Sequence, residues 1–341
     1  MTQDWTSFLT SQGFAADGST AGSLGGELAA ARDGKVLAPI ADQGLIRATG
    51  VDAAEFLHNL MTNDVKGITA RNARFAGLCT AKGRLLALFL IWRDGDDFLL
   101  MLPRDILPAI LKKLSMYVLR SKVKLSDASS EFALLGTTAV PTSVPADLAR
   151  FGVAMLAGDG RAIRLDETRW LLALRPAQAE ECWRELAAAA KPVALAAWNW
   201  LEIAAGQPRI VATTQEAFVP QMLNMELPAV AGVSFTKGCY PGQEIVARTQ
   251  YLGKVKRRTF RARLGAAPAP GTHVFAPETG SQHCGAIVSV APSPAGSHEC
   301  LVCVQIGARE GGEVRVGSPD GERLEFLSLP YVVTDDEPAA A

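Results

Sequence analysis

The stretch Lys237-Gly238-Cys239-Tyr240-Pro241-Gly242-Gln243-Glu244 sets one thiol between two glycines, with a cation two residues before it and an aromatic ring directly after. Glycine and proline at this density mark an exposed loop rather than core. Cations at Lys237 and Arg248 favour the thiolate, the form that attacks electrophiles or binds metal. Cys239 is therefore read as a functional thiol with Tyr240 shaping one wall. The competing reading is a loop cysteine packed under a turn. No histidine lies near it in sequence, so a thiol–imidazole hydrolase would need its base from elsewhere in the fold. Gly238 and Gly242 are expected to give the loop a geometry that other residues cannot adopt.

Other groups invite chemistry less strongly. Cys300-x-x-Cys303, near His283, Cys284 and His298, has the outline of half a metal or redox site. In a strand, however, positions i and i+3 point to opposite faces, so the pair is read as core and no metal is expected. Asp96-Asp97 follows Asp94-Gly95 between two apolar runs and is read as a hairpin turn. The basic run Lys254-Val255-Lys256-Arg257-Arg258 suits a phosphate or the acidic tail of a ligand, and equally the solvated start of a strand. Trp198 is either a core anchor or a stacking surface for a heteroaromatic ring, and core is favoured on local grounds. Phosphate-binding glycine loops, zinc-protease helices and nucleophile elbows are absent.

These residues must be positioned by a sizeable fold. With 341 residues, 48% of them hydrophobic and only 20% charged, the chain can bury a large core in two or three parts. A net charge of -1 argues against an all-over polyanion surface, so direct DNA binding is not expected. No apolar run reaches the roughly 20 residues of a membrane helix. The N-terminus lacks a secretory pattern and the six cysteines are irregularly spaced, which fits the cytoplasm. Residues 1–36, of which 13–36 are rich in Gly, Ala and Ser, are expected to be a flexible or weakly helical leader. A helix is predicted over 52–61, then strands at 75–79, 85–92 and 98–102. Ile106, Ile110, Leu111, Leu114 and Val118 trace one helical face, and a strand follows at 122–125. Further helices are predicted around 180–187 and 195–205. Residues 256–330 break into short β runs separated by Gly/Pro turns, as in a small barrel. The reading is an α+β protein: a body over 37–250, a β-barrel over 251–333 and a frayed tail over 334–341.

The motif around Cys239 resembles the signature of the YgfZ family of folate-binding proteins, relatives of the glycine-cleavage aminomethyltransferase. The resemblance also rests on Phe218-Val219-Pro220-Gln221 with Asn224, and on Val233-Ser234-Phe235. Val246-Ala247-Arg248-Thr249 and Tyr251-x-Gly253-x-x-Lys256-Arg257 follow the motif in the same pattern. Upstream, Asn63-Asp64-Val65, Lys82-Gly83-Arg84 and Tyr117 to Val123 fit as well. It covers about Leu37 to Tyr331.

The resemblance implies a multi-part aminomethyltransferase-like body with a C-terminal β-barrel and a site for tetrahydrofolate or a derivative. It implies that Trp198 flanks the pterin, and that Tyr240, Gln243, Glu244, Arg248, Lys256 and Arg257 serve the folate. Lys237 would tune the Cys239 thiol. Implied partners are folate and iron–sulfur enzymes, including those that modify tRNA. Two departures stand out. The acidic pair of the transferases falls on Leu86 and Ala87, and a further glutamate falls on Ala204. Loss of these carboxylates argues against glycine cleavage and leaves one-carbon transfer to another substrate as the alternative.

Overall fold

The computed structural model describes residues 3–20, 22–145, 147–251 and 254–333. Gly253 and the expected tail at 334–341 lie outside them. Helices α1 (Gln3–Ser11) and α2 (Leu24–Asp33) precede strands β1 (Val36–Pro39) and β2 (Gln43–Thr49) and helix α3 (Ala53–His58). Strands β3 (Arg74–Cys79), β4 (Leu85–Asp94) and β5 (Asp97–Pro103) lead to α4 (Leu107–Tyr117), β6 (Lys124–Asp127) and β7 (Ala133–Thr137). Next come β8 (Val153–Met155), β9 (Arg161–Arg164), β10 (Trp170–Leu174), α5 (Pro176–Ala187), β11 (Lys191–Pro192) and α6 (Leu195–Ala204). The C-terminal third holds α7 (Gln243–Tyr251), β12 (Arg257–Leu264), β13 (His273–Phe275) and β14 (His283–Pro292). It ends with β15 (His298–Gln305), α8 (Ile306–Gly311), β16 (Arg315–Val316) and β17 (Glu325–Leu327). Among the described residues, no helix is long and apolar enough to cross a membrane.

Two compact units result: Met1–Phe56, Val65–Arg74 and Leu90–Trp198 form the first, and Leu57–Asp64, Phe75–Phe89 and Asn199–Ala341 the second. The division does not fall at residue 250. Residues 251–333 share their unit with the chain from Asn199 and with two upstream segments.

In the first unit, β11, β1, β7, β10, β9 and β8 form a six-stranded sheet in that order, antiparallel except for β1 with β11. A second sheet has the order β3-β4-β5-β2-β6. The Asp94-Gly95-Asp96-Asp97 turn joins β4 to β5, as its residue types require. Asp94 is a buried hub: Arg47 and Arg175 donate to it at 2.9 and 2.8 Å, and Arg161 stands 3.5 Å away. A buried carboxylate is tolerable only when paired in this way.

The described residues among the first 36 form two helices, α1 and α2, and contribute to a packed core instead of a flexible leader. Trp5, Leu9 and Phe14 are buried in one core with Leu37, Leu135, Leu172, Trp170 and Trp183. Trp183 of α5 meets Trp5 edge-on at 6.0 Å and Phe14 at 5.3 Å. Glu27 of α2 is buried and accepts from the Thr20 hydroxyl at 2.5 Å and from the Ala194 N–H at 2.8 Å. Small residues dominate the composition of this segment, but its few large side chains decide its fate, because each buries enough apolar area to offset ordering.

In the second unit, the order β16-β13-β14-β15-β12-β17 makes a curled sheet around Val274, Ile287, Val302 and Leu324. The ends of the curl meet where Val316 N–H donates to Glu322 O at 2.9 Å and Leu324 N–H to Val314 O at 2.8 Å. Cys300 and Cys303 lie in β15, both buried. Helix α8 lies within the stretch over 256–330 read from sequence as short β runs and turns.

Trp5→Ala is expected to destabilise the protein by about 3–5 kcal/mol, measured by urea denaturation. A flexible leader would lose almost nothing.

Candidate thiol site

The loop before α7 is held from below. The Lys237 ammonium is buried and donates to the backbone carbonyls of His58 and Met61, the latter at 2.7 Å. Helix α3 ends at His58, short of the predicted residue 61, and its last turn leaves carbonyls without helical partners. A lysine supplies the missing donors, as cations do at helix C-termini. Thr62 and Asn63 tie the following residues down. The Thr62 hydroxyl donates to Gly232 O at 2.6 Å, and the Asn63 amide to Phe75 O and Ala231 O at 2.8 Å each.

Tyr240 faces inward, buried, with its ring centroid 4.9 Å from the Lys237 ammonium. Burial, with Cys79 adding to it, pushes its phenol well above the usual range. It anchors the loop rather than forming an open wall. Gly242 then turns the chain with φ +82°. A Cβ there would stand 2.4 Å from Thr80 O and 2.6 Å from the Gly83 Cα, so two backbones pass where no side chain fits. Beyond it, Val246 of α7 is buried and its carbonyl accepts from the Gln221 amide at 2.7 Å. Gly238 differs from what the motif suggests. It is not among the residues with positive φ, and a Cβ would find only His58 Nε2, at 3.9 Å.

Cys239 is the one exposed cysteine of the six. Burial pushes Cys79, Cys300 and Cys303 up to about 12, and Cys182 and Cys284 up to about 11, so these thiols stay protonated near neutrality. His58 is the residue that sequence reading missed. Its Nε2 faces Gly238, one residue from the thiol, while its Nδ1 stands 3.2 Å from Asp64 Oδ1. The imidazole and the Asp64 carboxylate thus stand within ion-pair distance beside the thiol loop. It lies far upstream, and Lys237 reaches back 179 residues to its carbonyl.

The other expected site residues divide. Gln243 is half-buried at the start of α7, whereas Glu244 and Arg248 are exposed and share one helical face. Lys256 is exposed just before β12, and Arg257 is half-buried at its first position. Trp198, by contrast, belongs to the first unit and is 2% exposed. Its indole covers Gly136, where a Cβ would lie 2.6 Å from the ring. Both features make it a core residue, with no ring face open to a pterin. Leu86 and Ala87 are buried aliphatic positions of β4. Gln221 and Asn224, both fully buried, each keep a side-chain carbonyl oxygen without a partner. No cluster of three or more metal-ligating side chains occurs among the described residues.

Iodoacetamide at pH 8 is expected to modify one thiol in the folded protein and six in denaturant, counted by mass spectrometry. The pH profile of that one reaction is expected to move in His58→Gln, and an unmoved profile would leave the imidazole without a part in deprotonation. Gly242→Ala is expected to cost about 2–4 kcal/mol, from left-handed strain and backbone overlap, against less than about 1 kcal/mol for Gly238→Ala. Thermal melts of the two variants decide this.

Comparison with known proteins agrees with this architecture. No protein-family model matches the chain. The tRNA-modifying protein YgfZ of Vibrio vulnificus strain YJ016 is 35% identical over 240 residues, covering 69% of this chain and 70% of that protein. Its namesake in Serratia proteamaculans is 27% identical over 315 residues, covering 88% and 94%. Among solved structures, the glycine cleavage system aminomethyltransferase T of Bartonella henselae superposes with a TM-score of 0.69. That match holds at 18% identity over 92% of this chain and 91% of the other, and shows a shared α+β aminomethyltransferase-like fold. The chain belongs to the YgfZ family of tRNA-modifying proteins.

Proposed function

We propose that this protein is a cytoplasmic folate-binding protein that supports iron–sulfur enzymes, among them enzymes that modify tRNA, with Cys239 as its working thiol. The observation that carries the reading is the single exposed cysteine, set in a loop whose neighbours Lys237 and Tyr240 are buried to hold it there. The name of the relatives supports the link to tRNA modification. A near-neutral chain makes that link indirect, through partner enzymes rather than a tRNA-binding surface. His58 accepts the thiol proton, and Lys237 sets the loop's position.

Tetrahydrofolate fits these residues unevenly. Its glutamate tail needs cations, and exposed Arg248 and Lys256 with half-buried Arg257 supply them in the second unit. Its pterin needs an acceptor and a flat wall. Leu86 and Ala87 offer no carboxylate and Trp198 is covered, which weighs against the transferase alternative. The folate of this reading is held mainly by its tail.

In a strain lacking the protein, Cys239→Ala is expected to leave tRNA thiolation and cluster-enzyme activity at the deletion level, and full rescue would remove the thiol role. In titrations followed by tryptophan fluorescence, a triglutamate form is expected to bind about tenfold tighter than the monoglutamate. That gain should vanish in Lys256→Ala/Arg257→Ala. Equal affinities would take the tail away from these cations, and no binding of either form would leave the thiol role alone.

A further inference from the structure

A hollow of about 480 Å³ opens on the curled sheet of the second unit, lined by Arg309, Gly312, Arg323, Leu324, Glu325 and Phe326. Its volume lies within the roughly 300–1,000 Å³ typical of small-ligand pockets. None of its residues belongs to the thiol loop or to the cations assigned to folate.

Two arginines define its chemistry. The Arg309 guanidinium lies 4.9 Å from the Phe260 centroid and 5.9 Å from that of Phe326. The two rings meet edge to face at 6.2 Å, which makes a fixed aromatic corner for the cation. Among the described residues, Arg309 has no carboxylate partner. Stacking occupies the face of a guanidinium but leaves its N–H edge able to donate. Arg323 is held differently: its Nε donates to Gly312 O at 2.9 Å, and Nη1 stands 3.2 Å from Glu313 Oε1. Its Nη2 lies against Gly312, which lines the hollow. The acid on the rim, Glu325, pairs with Arg263 at 3.2 Å. Leu324 is buried and Phe326 half-buried, so the hollow has an apolar side as well.

Fixed guanidinium edges beside an apolar wall suit a ligand with one anionic group on a flat apolar body. A guanidinium fork matches carboxylate and phosphate alike, whereas a bare inorganic anion would leave the wall unused. We propose that this hollow is a binding site for a small aryl anion, its carboxylate or phosphate taken by Arg309 with Arg323 and its ring laid against half-buried Phe326. The site stands apart from the folate reading, and either can fail without the other.

The test titrates the isotope-labelled full chain with benzoate, phenyl phosphate, inorganic phosphate and benzyl alcohol, following arginine side-chain and phenylalanine ring NMR signals. The aryl anions are expected to saturate the site and to bind at least about tenfold tighter than inorganic phosphate or benzyl alcohol. The tighter of the two aryl anions identifies the preferred anionic group. Arg309→Ala is expected to weaken that ligand about tenfold or more, with Arg309→Lys in between because it keeps charge without the planar fork. Should the alanine variant fail to fold, Arg323→Gln is read in the same way. Inorganic phosphate binding as tightly as phenyl phosphate overturns the proposal. So do shifts spread over the basic surface, or affinities that the substitutions leave unchanged.

Discussion

A buried ammonium governs the thiol loop. An isolated lysine charge taken out of water is costly, and so are backbone carbonyls left bare at the end of a helix. Lys237 and the carbonyls of His58 and Met61 relieve each other, with the Tyr240 ring adding its face. Because this arrangement tolerates little displacement, the residues around Lys237 have fixed directions. Tyr240 goes in, and Gly238 with Cys239 stays out. Gly242 completes the constraint by letting the start of α7 press on the Thr80–Gly83 turn.

Cys239 is exposed, whereas Cys79, Cys284, Cys300 and Cys303 are buried and Cys182 is half-buried. The buried cysteines are protected twice, by packing and by the cost of ionising in an apolar setting. Cys239 is exposed, and an imidazole stands beside its loop. The aminomethyltransferase-like frame is thus kept, and Leu86 and Ala87 are buried aliphatic positions within it.

Charge pairing shapes the first unit by the same physics. Asp94 gathers three arginines, and Glu27 fastens α2 to the stretch leading into α6 through Thr20 and the Ala194 N–H. Gln221 and Asn224 mark the contrast in the second unit, where two buried oxygens keep acceptor capacity unused. Asp94, Glu27, Gln221 and Asn224 all look like ordinary surface residues in sequence. Their partners lie far along the chain, so no local pattern shows that they are buried.

Local chemistry was legible. Apolar periodicity predicted β4, β5, α4 and α5, turn residues predicted the Asp94–Asp97 hairpin, and glycine with proline density predicted an exposed loop around Cys239. Each depends on residues a few positions apart, which propensity and spacing report directly. The tertiary structure alone decided which large side chains were buried and which distant groups met. It turned the expected leader into part of a core through Trp5, Leu9 and Phe14, and covered Trp198 with β7. It brought His58 to the motif and showed that Gly242, rather than Gly238, is the glycine the backbone requires. Burial and long-range pairing are properties of the packed chain, set by contacts between residues whose separation in sequence carries no signal of their closeness in space.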